Sequence, residues 1–126
     1  MKQWELGTMD ARPHLPQILS TTDAARAILL ALPADERLQE HEVHERAWLV
    51  VIAGEIDVTS FDGSRVQGGA GLMVEFAPGE RHQVTARSDA RLLLFLAPWP
   101  GEGHPGAMTM EEKSQVRARA AEQNPG

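Results

Sequence analysis

Short apolar or alternating segments, separated by turn signals, fill the middle of the chain. Strand-like patterns cover residues 48–52, 56–61, 72–76, 82–86 and 91–97. Asp62-Gly63 falls between two of them and is a strong hairpin signal. Strands of this length, spaced by roughly eight to twelve residues, predict an all-β sandwich or barrel.

The two ends of the chain differ from this middle part. Residues 1–24 contain Pro13 and Pro16 and are predicted to be an irregular N-terminal arm, packed on the barrel or on a partner. Residues 25–98 form the predicted barrel, and its first segment, 25–32, is interpreted as a strand although its period is ambiguous. Residues 99–126 begin with a Pro- and Gly-rich loop, and a capping-box pattern predicts a short C-terminal helix after it.

Composition narrows the classes of partner. The chain has 126 residues, the length of one domain, and no cysteine, which excludes disulfides and thiolate chemistry. The net charge is −6 and no basic cluster exists, so neither nucleic acid nor an acidic membrane surface is an expected partner. Without a secretory signal pattern, a cytoplasmic location is expected. Small molecules, metal ions and other protein chains remain as partners.

Two glycine- and histidine-containing segments carry a family resemblance. They are HEVHERAWLVVIAG at 41–54 and GLMVEFAPGERH at 71–82. Together they resemble the two motifs of the cupins, which implies a double-stranded β-helix, or jelly-roll, barrel. The second motif matches well, because Gly71, Gly79 and His82 hold the expected positions, although Ala77 replaces a proline.

The first motif matches less well. His41 and Gly54 fit its ends, but Ala47 stands where the resemblance implies a metal-binding glutamate, and Val43 stands where it implies a second histidine. The nearby donors, His44 and Glu45, are the candidate replacements. Alternation along a strand would place His41 and Glu45 on one face and His44 on the other, unless a bulge intervenes.

The resemblance therefore implies a metal site with two alternative donor sets. One is His41, His44 and His82, and the other is His41, Glu45 and His82, which resembles the two-His-one-carboxylate set of non-haem iron oxygenases. Fe, Ni, Zn, Cu or Mn would suit such donors, and no organic cofactor is expected. Metal-assisted dioxygenation or isomerisation of a small organic molecule is the implied chemistry.

Less specific interpretations of the same residues stay open. His41 and His82 could be a metal-free polar pair in a small-molecule binding or sensing module. His44 could be an exposed strand residue. Glu45 could belong to a solvated charged face, together with Glu40, Glu42, Arg37 and Arg46. His14 and His104 are expected at the surface.

The strand at 48–52 is apolar on both faces, since Trp48, Val50 and Ile52 alternate with Leu49 and Val51. Such a strand needs a second covering layer. The N-terminal arm, the C-terminal helix or a second subunit could supply it. Because small cupins commonly pair through such faces, a homodimer is expected.

Overall fold

The computed structural model describes the backbone of residues 1–41 and 44–98, together with the side chains of that part except those of residues 39–41. The predicted Pro- and Gly-rich loop, the C-terminal helix and His104 lie outside the described residues. Within the described ranges no helix is long and apolar enough to cross a membrane.

Nine strands make up the regular structure of the described part. They are β1 (Gln17–Thr21), β2 (Arg26–Leu32), β3 (Arg37–His41), β4 (Arg46–Ala53), β5 (Ile56–Ser60), β6 (Arg65–Gly68), β7 (Met73–Phe76), β8 (His82–Ala86) and β9 (Ala90–Ala97). The all-β prediction is confirmed, and so is the strand interpretation of the ambiguous segment at β2.

The strands form two antiparallel sheets with non-sequential neighbours. The larger sheet has the order β1-β2-β9-β4-β7, and the smaller has the order β3-β8-β5-β6. Consecutive strands such as β2 and β3 therefore lie in different sheets, as in a jelly roll. This winding brings residues that are distant in sequence to the same end of the barrel.

Inward-facing side chains of both sheets form one apolar core. Alternate residues of β4, Ala47, Leu49 and Val51, are buried. Ile56 on β5 and Val84 on β8 are fully buried and join the same cluster. Side chains that face the core therefore recur at every second residue, which is the period seen in the sequence.

Gly54 ends β4 because no other residue fits the turn. Its φ is +81°, and a β-carbon there would lie 2.7 Å from the Cα of Ala90 and in collision with the carbonyl oxygen of Asp89. The backbone of β9 approaches this closely because the turn closes the end of the β4–β9 pair. The close approach of the β9 backbone therefore requires a glycine at the end of the first motif.

The N-terminal arm contains more structure than the sequence predicts. Its last residues form β1, which pairs with β2 directly after Pro16. Before it, Pro13 makes an isolated bridge to Ala31, and the Arg91 guanidinium donates to the Leu6 carbonyl at 3.0 Å. The arm therefore packs on the barrel of its own chain. A period-two pattern could not reveal β1, because prolines interrupt the arm before it.

Candidate functional site

His82 occupies the start of β8, at one end of the barrel. Its strand continues with Val84 and Ala86, which are both buried, so alternation turns His82 toward the same interior. The Pro78-Gly79 turn precedes it, and Gly79 has a φ of +79°. The intact second motif thus places an imidazole at the mouth of the core.

The contacts that hold the imidazole of His82 include a ring stack and a hydrogen bond. Its ring stacks on that of Phe76 with a centroid distance of 3.6 Å and an interplanar angle of 7°. Its Nδ1 lies 3.2 Å from the carbonyl oxygen of Glu80. Because a carbonyl oxygen only accepts hydrogen bonds, Nδ1 is the donor in this contact. The stack and the hydrogen bond together fix the orientation of the ring.

His41 lies opposite His82 in the sheet. It ends β3, and the β3–β8 register makes His41 and His82 Cα partners, after an irregularity that follows Leu38. Strand pairing thus brings His41 next to His82, although 40 residues of sequence separate them.

Glu45 and His44 lie in a bend directly before β4, and they differ in burial. The Glu45 side chain is only 2% exposed, whereas His44 is exposed. Glu45 precedes the inward-facing Ala47 by two residues, and the Cα partner of Ala47 is Phe76, which stacks on His82. Glu45 therefore lies at the same end of the barrel as His82. The interpretation of Glu45 as part of a solvated face is wrong.

The core packing explains why this end of β4 is closed to solvent. Ala47 is completely buried against Phe76, which is itself 2% exposed. Ala47 and Phe76 are Cα partners in the same buried cluster, and the Phe76 ring stacks on His82. The alanine that replaces the expected glutamate is thus a core residue, and the buried carboxylate lies two residues earlier.

Among the described side chains, which do not include that of His41, no group of three or more His, Cys, Asp and Glu residues could hold a metal ion. The backbone nonetheless brings His41 and His82 to one register position and Glu45 to the same barrel end. His44 faces solvent instead. The choice between the two donor sets stays a prediction.

Sequence reasoning missed Phe76 and Ser60 as parts of this end. Ser60 is the Cα partner of His82 on β5, on the side away from β3, and it continues the inward positions Ile56 and Val58. Its hydroxyl lies 3.5 Å from the Glu80 carboxylate. Strict alternation from Ile56 would have found Ser60, but the stacking of Phe76 on His82 has no signal in the sequence.

An open groove lies beside His82, between the β5–β6 turn and the loop before β8. Its volume is about 330 Å³, and its lining consists of Ser60, Phe61, Asp62, Gly79, Glu80 and Arg81. The Phe61 N–H donates to the Arg81 carbonyl at 3.0 Å, which ties the two walls together. Hydrogen bonds from the Ser64 hydroxyl and N–H lower the pKa of Asp62 below its usual 3.8.

The sequence matches the family model described as a cupin domain over residues 28–97. Since this match covers more than half of the chain, the protein belongs to the cupin family. No curated protein resembles the sequence closely enough to count as a match.

Solved cupin structures agree with this assignment at the level of the fold. An RmlC-like cupin protein from Desulfovibrio desulfuricans superposes with a TM-score of 0.68 at 17% identity, covering 78% of this chain and 97% of that one. An RmlC-like cupin family protein with a double-stranded β-helix fold from Methanocaldococcus jannaschii gives 0.66 at 20% identity, covering 78% and 91%. A cupin superfamily protein from Desulfitobacterium hafniense gives 0.63 at 18% identity, covering 71% and 83%. The predicted jelly-roll barrel is confirmed.

Proposed function

We propose that the His82 end of the barrel binds a divalent metal ion through His41, Glu45 and His82, and that the protein acts on a small organic molecule there. The observation that carries the proposal is a buried carboxylate at the same barrel end as an imidazole whose orientation is fixed by a ring stack and a hydrogen bond. Glu45 also interacts with another part of the protein. This fits the proposal, because carboxylates that bind metals are themselves usually hydrogen-bonded by the protein.

The donor chemistry fits a metal ion. Histidines that bind metals usually donate their second ring N–H to a carbonyl or carboxylate, and the His82 Nδ1 has this partner in the Glu80 carbonyl. Two imidazoles and one carboxylate suit non-haem iron as well as Zn, Ni, Cu or Mn. A bound ion would supply Lewis acidity or redox chemistry and leave coordination positions for a substrate.

The residues around His82 have separate roles in this proposal. Phe76 keeps the imidazole plane fixed and excludes water from the core side. Ser60 and Glu80 place a hydroxyl and a carboxylate where the groove meets the barrel end. A small organic acid or phenol of groove size would lie against Phe61 and within reach of Arg81. Dioxygenase- or isomerase-like chemistry is the class of reaction proposed.

Metal content tests the donor set directly. After loading with Fe, Ni, Zn or Mn and desalting, elemental analysis of the wild type is expected to give about one ion per chain for at least one metal. His41→Ala, His82→Ala and Glu45→Gln are each expected to lower that content strongly.

His44→Ala is the matched control, because His44 neighbours Glu45 in the chain but is exposed. Retention of metal in His44→Ala with loss in Glu45→Gln supports the carboxylate set. The reverse result would establish the three-histidine set. Wild type that takes up no metal, but melts at a higher temperature with a small organic acid, would replace the proposal with the metal-free binding module.

We also propose that a second copy of the chain covers the outer face of the larger sheet. Trp48 and Phe95 meet there edge to face with a centroid distance of 6.2 Å, and Phe95 is exposed. Glu75 accepts hydrogen bonds from the Trp48 indole at 2.8 Å and from Arg46 at 2.9 Å. This aromatic pair is held in place and lies beside one cation and one anion. Across a two-fold axis, the same patch on a second copy of the chain would therefore be complementary to it.

Light scattering tests this pairing. The wild type is expected at twice the chain mass at micromolar concentration, and Phe95→Asp is expected at the chain mass. Phe61→Asp places the same charge on the exposed β5–β6 turn and is expected to leave the mass unchanged. A monomeric wild type would refute the proposal.

A further inference from the structure

A second cavity lies away from His82, where the N-terminal arm crosses the junction between β2 and β3. Its volume is about 390 Å³, at the lower end of the range of small-molecule sites. We call it the arm slot, and it is lined by Arg12, His14, Leu15, Pro16, Leu30, Ala31, Leu32, Glu36, Arg37 and Leu38.

The floor of the arm slot is apolar and open. Leu30 and Leu38 pack against the main core but remain only partly buried, whereas their neighbour Leu32 is buried. The slot lies where the chain passes from one sheet to the other, because β2 and β3 are consecutive strands that belong to different sheets. Leu15 on the arm side is exposed. An apolar ligand body would therefore cover leucine surface that water now reaches.

The arm that forms the other wall is held in place. Pro13 bridges Ala31, and the Leu15 N–H donates to the Arg12 carbonyl at 3.3 Å. His14 adopts a positive φ of 64° at the apex of this turn, and its Nε2 lies 3.2 Å from the Glu36 carboxylate. The slot is therefore preformed, so a ligand would not have to order its walls.

The rim of the arm slot offers one cation to a ligand. Glu36 is engaged by His14, and Arg12 lies 3.6 Å from Asp10. Arg37 is exposed, and it makes no ion pair with any side chain in the described part of the chain. In a chain of net charge −6, this guanidinium beside a leucine floor selects for an anion with an apolar body.

We propose that the arm slot binds a small amphipathic carboxylate, with its hydrocarbon part on Leu30 and Leu38 and its carboxylate at Arg37. The site is separate from the proposed metal site and does not depend on it. Octanoate is a suitable probe, and 1-octanol matches its chain without the charge.

Octanoate titration followed by amide NMR tests the proposal. Saturable shifts are expected at the amides of Leu30, Leu32 and Leu38 at millimolar octanoate. Arg37→Gln is expected to weaken octanoate binding by about two- to fivefold, as for a solvent-exposed ion pair, and to leave the affinity for 1-octanol unchanged. Arg37 is exposed, so this variant is expected to fold.

Arg87→Gln is the matched control, because Arg87 is an exposed arginine that lines neither the arm slot nor the groove beside His82. Its octanoate affinity is expected to equal that of the wild type, as is that of His82→Ala. Octanoate shifts confined to residues 60–82, shifts at the arm slot that do not saturate, or an Arg37→Gln variant that binds octanoate as well as the wild type would each overturn the proposal.

Discussion

Replacement of Phe76 by leucine isolates the contribution of the ring stack beneath His82. Leucine keeps most of the apolar surface at this position, which is 2% exposed, but removes the aromatic face that lies 3.6 Å from the imidazole. Aromatic pairing adds about 0.5–1.5 kcal/mol beyond the buried area, and imperfect filling of the ring volume adds a smaller loss. We expect Phe76→Leu to lower the free energy of unfolding by about 1–2 kcal/mol.

Urea denaturation followed by tryptophan fluorescence measures this loss. Phe61→Leu is the matched control, because the same change at an 80% exposed residue is expected to alter stability by no more than about 0.5 kcal/mol. If the proposed metal site is correct, Phe76→Leu also weakens metal binding by roughly tenfold or more, as mutations of residues that orient a ligand do. Equal stability losses in the two variants would refute the structural role assigned to the stack.

Two further predictions concern turns. Gly54→Ala is expected to destabilise the fold by at least about 2 kcal/mol, since it combines a positive φ with a collision against the β9 backbone. Gly63→Ala, with a φ of +91° and open space around it, is expected to lose only about 1 kcal/mol, and thermal denaturation compares the two. Ser64→Ala is expected to raise the pKa of Asp62 toward 3.8, measured by carboxyl NMR titration. Because folding lowers this pKa, the stability it contributes is present above about pH 4 and is lost as the pH falls through the lowered value. An unchanged Asp62 pKa in Ser64→Ala, or equal losses in the two glycine variants, would contradict these predictions.

The two halves of the predicted motif pair differ in how they are built. The second half is regular, because the turn at Gly79 leads straight into β8 and presents His82 inward. In the first half β3 ends at His41, residues 44–45 form a bend and β4 begins at Arg46, so His44 and Glu45 do not belong to either strand. Within this bend Glu45 is buried while its neighbour His44 is exposed.

Local sequence pattern was sufficient for the all-β class and most strand positions, and the resemblance to the cupin motifs drew attention to His82. Alternation reports which residues of one strand share a face, and turn residues report where strands end. The hairpin signal at Asp62-Gly63 was therefore located correctly, between β5 and β6. The sequence pattern did not predict β3 and β6. Both are polar strands at the edges of the smaller sheet, and they lack the apolar alternation that marks the other strands.

Only the tertiary structure decided which residues meet. The pairing of His41 with His82 and the stacking of Phe76 on His82 join positions on different strands, and no local pattern encodes a partner. The same holds for Glu45, whose charge suggested a solvated face until the packing of Ala47 against Phe76 placed it at the closed end of the core. Burial at a strand break depends on which distant strands cover it, and that information resides in the sheet topology and its register.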